Sequence, residues 1–280
     1  MTEQVHLPKL YFNHLLEKGD WGRKLLAENL TKLYRHADSR HLVRSVDNEI
    51  RGFLSTKYQR RDPGEMLTAF IEACGRVKAV PYEAYHGATK FMVKAVLDHM
   101  IEPIRDEVIA LGVVIHESPY GNGATEISPF IERMWCTNKA ITTTSLRKVH
   151  IGGRLSDNIE WSDETYRKDT DAMCSQITDL VVGQLGDKAI RKLTDTVIQA
   201  NEESVDPDKF ESFLKKELGR NDAQVVIDKF TSADIQNLPQ GNNLWRASNA
   251  LSWFAGTLKD PEKVYEVQRL AGQVLPQADA

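Results

Sequence analysis

Cysteine is scarce in this sequence. Its 280 residues include three cysteines, Cys74, Cys136 and Cys174, which are odd in number and lie far apart. Disulfide-stabilised domains carry cysteines in pairs, and zinc sites use ligands at short, recurring spacings. The cysteine pattern therefore argues against a disulfide framework and against a zinc site, and it favours a reducing compartment such as the cytoplasm.

Long apolar runs are also absent. No stretch approaches the roughly 18 consecutive apolar residues that a membrane-spanning helix needs. The first ten residues, MTEQVHLPKL, lack a basic region followed by an apolar run, so no signal peptide is predicted. Hydrophobic residues make up 41% of the chain and charged residues 27%, which is typical of a globular protein without a membrane partner.

No catalytic motif is recognisable. Gly121 and Gly123 follow a predicted strand, but the alternation of apolar and polar residues continues beyond them, so they indicate a hairpin turn rather than a phosphate loop. Cys136 could act as a nucleophile with His116 or His150 as its base, although a free cysteine is more often a small core residue. We therefore predict a protein that is not an enzyme, with no catalytic residue, no metal and no cofactor.

The charges divide along the chain. Residues 1–154 hold 22 Lys and Arg against 18 Asp and Glu, whereas residues 155–280 hold 14 against 22. Their balances are therefore +4 and −8, and all eight histidines lie in the first part. This asymmetry predicts two domains in different surroundings. Residues 1–154 would carry a basic nucleic-acid face, and residues 155–280 would mediate oligomerisation or partner binding.

Hydrophobic periodicity predicts helices before Tyr34 and a capped helix that begins near Asp62 and Pro63. The period then changes to two, which is typical of strands. Strands are predicted at 76–80, 89–97, 106–118 and 124–136, with a loop between the first two and one or two further strands after the last. Residues 124–136 should return antiparallel to the preceding strand, and Pro129 predicts an edge position or a bulge.

From Ser162 onward the pattern is helical. Asp206-Pro207 and Asp260-Pro261 have the composition of helix starts, and Gly219 has that of a helix end. The break near 152–162 is the best domain boundary. The predicted fold class is α+β: an antiparallel sheet with a packed helix in the N-terminal half, followed by a mainly helical C-terminal half.

Basic and aromatic residues recur in the predicted sheet region. Lysine and arginine at alternate positions are also the ordinary outcome when one face of a sheet is solvated. The functional interpretation is a groove that follows a phosphate backbone, with aromatic side chains that stack on bases. The candidate nucleic-acid-binding residues are Lys57, Arg60, Arg61, Arg76, Lys78, Tyr85, Lys90, Lys94, Arg133, Trp135, Lys139, Arg147 and Lys148.

Several segments carry a family resemblance. They are "IRGFLSTKYQRRD", "VVIHESPYGNGATEISPFIERMWCTNKA" with Arg133, Cys136 and Asn138, then "VHIGG", and the tryptophan-centred "NNLWRASNALSWFAG". Together they cover most of the chain. The sequence resembles the phage/plasmid-like protein family catalogued as domain of unknown function 932.

The resemblance implies a mobile-element protein in a bacterial cytoplasm. More remotely, the chain is similar to phage single-strand annealing proteins of the RecT and Redβ type, which implies homo-oligomers that pair single-stranded DNA without ATP. We therefore expect a non-enzymatic single-stranded nucleic-acid-binding or annealing protein of a phage or plasmid, acting in DNA recombination or replication. The alternative is an interaction protein that binds a host protein through its acidic helical half.

Overall fold

The computed structural model describes most of the chain. The described residues are 7–36, 41–47, 49–55, 63–87, 89–121, 123–134, 138–142, 146–149, 161–234 and 237–276, with the backbone alone at 55 and 146–149. Contacts group the chain into two compact units, Met1–Gln59 with Ile151–Ile159, and Arg60–His150 with Glu160–Ala280. The predicted boundary near 152–162 lies mostly outside the described residues, and the functional division at 154/155 stays a prediction.

The first unit contains a helical hairpin and a two-stranded ribbon. Its elements are α1 (Lys9–Glu17), α2 (Gly19–Arg35), β1 (His41–Val46) and β2 (Glu49–Ser55). Two glycines explain the tight hairpin. Gly19 joins the helices with a φ of 66°, which favours glycine. A Cβ atom on Gly22 would lie 1.9 Å from the Leu15 carbonyl oxygen, so α1 packs directly against the backbone of α2.

The second unit is built around one antiparallel sheet. Its strands are β3 (Ala79–His86), β4 (Phe91–Ile104), β5 (Glu107–Glu117), β6 (Ala124–Arg133), β7 (Asn138–Ile141) and β8 (Leu146–Val149). Their order is β3-β4-β5-β6-β7, and β8 also pairs with β6. The predicted hairpin at 119–123 is confirmed, because β5 and β6 pair antiparallel with Ile115 opposite Ile127.

Seven helices complete this unit within the described residues. They are α3 (Pro63–Arg76), α4 (Asp163–Gln184), α5 (Asp187–Glu202), α6 (Pro207–Leu218), α7 (Arg220–Thr231), α8 (Leu244–Thr257) and α9 (Pro261–Val274). Asp206 and Asp260 accept backbone hydrogen bonds at the starts of α6 and α9, as predicted. The α+β class is confirmed. Helix α7 was not predicted; Gly219, with a φ of 81°, both ends α6 and begins α7.

The two faces of the sheet have different surroundings. Val93, Ala95 and Val113 belong to the main core together with apolar residues of α3, α4 and α8. On the opposite face, Met92 and Phe130 pack with Tyr265 of α9. The sheet therefore lies between helical layers, and its second face combines apolar and charged side chains.

Two predictions about strands near the N-terminal end of the sheet are wrong. The segment after the first predicted strand is not a loop, because residues 79–86 form β3, an edge strand with a bulge between Pro81 and Glu83. An edge strand tolerates proline, and the bulge obscures the alternation. Arg76 ends α3, and Lys78 lies in the following turn with a φ of 57°, so neither residue is on a strand.

Pro129 is not at an edge. It lies in the interior strand β6, opposite Val113 of β5. On its other side, β7 pairs with residues 130–133 and β8 with residues 124–127, so Pro129 faces the interruption between them. Proline lacks the N–H that a ladder needs, and its carbonyl oxygen instead accepts hydrogen bonds from the Thr142 backbone N–H and hydroxyl.

Candidate functional site

The structure describes seven side chains of the predicted nucleic-acid face. Lys57, Arg60, Arg61 and Trp135 lie outside the described residues, and Arg147 and Lys148 lie on β8, where the side chains are not described. Arg76 and Lys78 are exposed at the end of α3. Tyr85 is half-buried and packs against the apolar group of Met92, Phe130 and Tyr265. Its ring face is therefore partly occupied by protein.

Lys94 and Lys139 are neutralised within the protein. The Lys94 side chain is fully buried, and its Nζ lies 2.8 Å from Glu83 Oε1 and 2.9 Å from Gln268 Oε1. The Lys139 Nζ lies 2.6 Å from Glu83 Oε2 and 3.7 Å from Glu132 Oε1. These residues and Tyr82, whose hydroxyl donates to Glu132 Oε2 at 2.6 Å, form what we call the charged cluster.

The pKa values within the charged cluster follow from burial and pairing. Burial lowers the pKa of the Lys94 ammonium, and the adjacent Glu83 carboxylate opposes this shift only in part. Burial raises the pKa of Glu83, but Lys94 and Lys139 outweigh burial and hold that pKa below its ordinary value. Burial and the hydrogen bond to Glu132 raise the pKa of the Tyr82 hydroxyl. The cluster is therefore a carboxylate–ammonium network that joins β3, β4, β6, β7 and α9.

Glu83 should make stability depend on acid pH. Since its folded-state pKa is lowered, its contribution is fully present above the ordinary carboxyl pKa of about 4.3 and is lost as the pH falls through the folded-state value. We expect the difference in unfolding free energy between wild type and Glu83→Gln to be largest near neutral pH and to shrink towards about pH 3. Urea unfolding at several pH values measures it. The exposed Glu72→Gln is the control, and a difference that does not change with pH would contradict the prediction.

Lys90 belongs to a second set of contacts, which holds α9 on the sheet. Its Nζ lies 2.7 Å from Glu262 Oε2, and His116 Nε2 lies 3.2 Å from the same oxygen. The His116 ring stacks on Tyr265 with ring centroids 4.4 Å apart. His116 therefore contacts α9. Cys136, the alternative nucleophile considered with a histidine base, lies outside the described residues.

Arg133 is buried and fixes the end of the sheet to α8. Its Nε and Nη2 donate to the two carboxylate oxygens of Glu107 at 2.6 and 2.8 Å. The Trp245 indole N–H donates to the same carboxylate at 3.2 Å. Nearby in sequence, Asn138 Nδ2 donates to Oδ1 of Asn249 at 3.3 Å. A strand segment and a helix segment that carry the family resemblance are thus in contact with each other in the core.

These contacts do not favour the predicted groove on the sheet. Lys94 and Arg133 are buried, and Lys90, Lys94, Arg133 and Lys139 all contact protein carboxylates. A cation that is already paired and shielded from water adds little attraction for a phosphate backbone. Within the described part of the predicted face, Arg76 and Lys78 remain exposed.

A different basic surface lies on α2. Trp21, Lys24, Lys32 and Arg35 follow one another at helical spacing and share one exposed face, together with Glu28. Trp21 is 66% exposed. Lys24, Lys32 and Arg35 form no ion pair within the described part of the chain. We call Trp21, Lys24, Lys32 and Arg35 the α2 stripe. The helical spacing of these four residues is the signal in the sequence that could have identified the stripe.

Other kinds of site have little support in the described residues. No group of three or more His, Cys, Asp and Glu side chains is placed to hold a metal ion among them. The Cys74 thiol is buried, and burial raises its pKa to about 12, so it is a poor nucleophile near neutral pH. None of the described helices has both the length and the apolar character needed to cross a bilayer.

Comparison of the chain with protein-family models, with curated proteins and with solved structures finds no match. The resemblance to the phage/plasmid-like family, and the more remote one to annealing proteins, therefore stay predictions. The first unit has an exposed helix face that carries cations and an aromatic ring. In the second unit, most of the described charges on the sheet are paired with other protein groups.

Proposed function

We propose that this protein binds single-stranded nucleic acid through the α2 stripe. The observation that supports the proposal is the exposed indole of Trp21 on the same helix face as the exposed cations Lys24, Lys32 and Arg35. Single-strand binders combine positive charge that follows the phosphates with aromatic rings that stack on bases. Stacking tolerates any base, so this chemistry fits binding without sequence preference.

The packing of α2 leaves the stripe available. Gly22 and Leu26 on its opposite side are buried, and Gly22 is the residue that α1 approaches most closely. The stripe runs from residue 21 to residue 35, which corresponds to roughly 20 Å along a helix axis at 1.5 Å per residue. That length accommodates several phosphates of an extended strand.

Removing the stripe's cations should weaken binding and reduce its salt dependence. For the triple variant Lys24→Gln/Lys32→Gln/Arg35→Gln, we expect the affinity for an oligothymidylate of about 20 nucleotides to fall about tenfold or more at low salt. The slope of log affinity against log salt should fall in magnitude by about 2, since each phosphate contact on a single strand contributes about 0.7. Fluorescence anisotropy titrations at several salt concentrations measure both quantities.

A matched control tests whether the position of the removed cations matters, or only the change in net charge. Lys188→Gln/Lys216→Gln/Arg220→Gln removes three exposed cations from the acidic helical region, and we expect it to bind within about twofold of wild type. Trp21→Ala should lose about tenfold with little change in salt slope, because stacking releases no counterions. Equal weakening by both triple variants, or no binding by wild type at low salt, would contradict the proposal.

We further propose that the protein anneals complementary strands and self-associates. The remote resemblance to phage single-strand annealing proteins supports this proposal. We expect the protein to accelerate pairing of two complementary labelled strands without ATP. Pairing should be slower with the triple α2 variant in proportion to its lost affinity. Binding without any acceleration of pairing would leave a binding protein and remove the annealing role.

A further inference from the structure

A cavity of about 720 Å³ lies between α6, α7 and the segment 239–246. Its volume falls in the range of about 300–1,000 Å³ that is usual for small-molecule sites. Phe210, Ile227 and Phe230 supply an apolar wall, with the two phenyl rings edge to face and their centroids 5.3 Å apart. Neither the α2 stripe nor the charged cluster contributes to this cavity.

The segment on the other side of the cavity is fixed in place. Gly241 has a φ of 98°, which glycine adopts without strain. The Asn243 side chain donates to the Asn201 backbone oxygen at 3.0 Å and to the Gln240 oxygen at 3.3 Å. The Val205 backbone N–H also donates to the Asn242 carbonyl oxygen at 3.1 Å. The cavity is therefore preformed, which reduces the ordering that binding requires.

A buried cation forms part of the wall. Arg246 is 5% exposed, and its guanidinium donates to the backbone oxygens of Phe230 at 2.8 Å, Ser232 at 2.6 Å, Asp234 at 3.2 Å and Pro239 at 2.5 Å. These oxygens are neutral dipoles. Within the described part of the chain, backbone oxygens supply the hydrogen-bond acceptors of Arg246, and the Asp234 carboxylate also favours its positive charge.

The carboxylates nearest to the cavity have other partners. Glu211, the carboxylate among the lining residues, bonds to Lys215, and the Asp234 carboxylate bonds to Lys229. Burial lowers the pKa of the Arg246 guanidinium, and the Asp234 carboxylate opposes this shift without cancelling it. Asp234 compensates the charge of Arg246 only in part, and an anion in the cavity would add to that compensation.

We infer that this cavity binds an organic anion with an aromatic or branched apolar body. The apolar wall takes the body of the ligand, and the field of Arg246 favours its carboxylate, sulfonate or phosphate group. The inference is independent of nucleic-acid binding, because no residue is shared between the two sites.

Anilinonaphthalene sulfonate is a suitable fluorescent probe, and phenylnaphthylamine is its neutral counterpart. Wild type should bind the sulfonate at one saturable site, about tenfold more tightly than the neutral compound. Ala233→Trp places an indole at the exposed edge of the lining and should weaken sulfonate binding about tenfold or more. Ala172→Trp, on the exposed side of α4, should leave it unchanged.

Two outcomes would contradict the inference. Equal affinities in the two tryptophan variants would place the probe elsewhere and overturn the inference. Equal affinities for the sulfonate and the neutral compound would overturn the anionic assignment. The triple α2 variant should keep full sulfonate binding, so loss of nucleic-acid binding and loss of cavity binding can be told apart.

Discussion

Glu107→Ala is expected to lower the free energy of unfolding by about 3–5 kcal/mol. The substitution leaves the Arg133 guanidinium buried without the carboxylate that it contacts through two hydrogen bonds. It also removes the acceptor of the Trp245 indole N–H, whose side chain is 1% exposed. A buried charge that loses its partner is among the few causes of such large effects. Urea unfolding followed by circular dichroism measures the change.

Two comparisons test that explanation. Lys168→Ala breaks an exposed ion pair with Glu164 and should cost less than about 1 kcal/mol. The double variant Glu107→Ala/Arg133→Met removes both charges, and with the two single variants it completes a double-mutant cycle that should give a coupling energy of about 1–3 kcal/mol. Additive effects of the two substitutions would mean that the ion pair is not the source of the loss.

Gly272→Ala should destabilise the second unit by about 3 kcal/mol. A Cβ atom at this position would lie 1.8 Å from the Ile141 carbonyl oxygen and 2.5 Å from its carbonyl carbon. Both are backbone atoms of β7, so no side-chain rotation can relieve the overlap, and α9 must shift away from the sheet. Equilibrium unfolding in urea again provides the measurement.

Gly183→Ala is the matched control for this substitution. Gly183 also lies in a helix, α4, but a Cβ atom there would meet nothing within 4 Å. Alanine restricts the unfolded chain more than glycine does, so this variant should be more stable by about 0.5 kcal/mol. If the two variants had the same stability, close packing of α9 on β7 would not be the reason for the glycine.

Local signals in the sequence predicted most of the fold. Asp206-Pro207 and Asp260-Pro261 identify helix starts because capping depends on neighbouring residues alone. The β5–β6 hairpin followed from alternation on both sides of a glycine-containing turn. Helix α7 was missed because Gly219 marked only the end of α6, and as the residue that also begins α7 it has no side chain to form a cap.

The candidate site was harder to predict, because alternation identifies a face of a sheet without showing what covers it. The residues that flank Lys94 in the sequence predict a solvated side chain. In the structure, Gln268 of α9, 174 positions away, accepts a hydrogen bond from it. Similarly, Arg133 and Trp245 both donate hydrogen bonds to Glu107, and these residues are close only in the folded chain. A charge that a strand pattern assigns to solvent can therefore be paired by a carboxylate on a neighbouring strand and covered by a helix much later in the chain.

Pro129 lies opposite the interval between β7 and β8, two short strands that both pair with β6. The pairing register of β8 on β6 differs by two residues from that of β7 on β6. β7 and β8 therefore pair with β6 one after the other, and their pairing is interrupted opposite Pro129, which has no backbone N–H to donate.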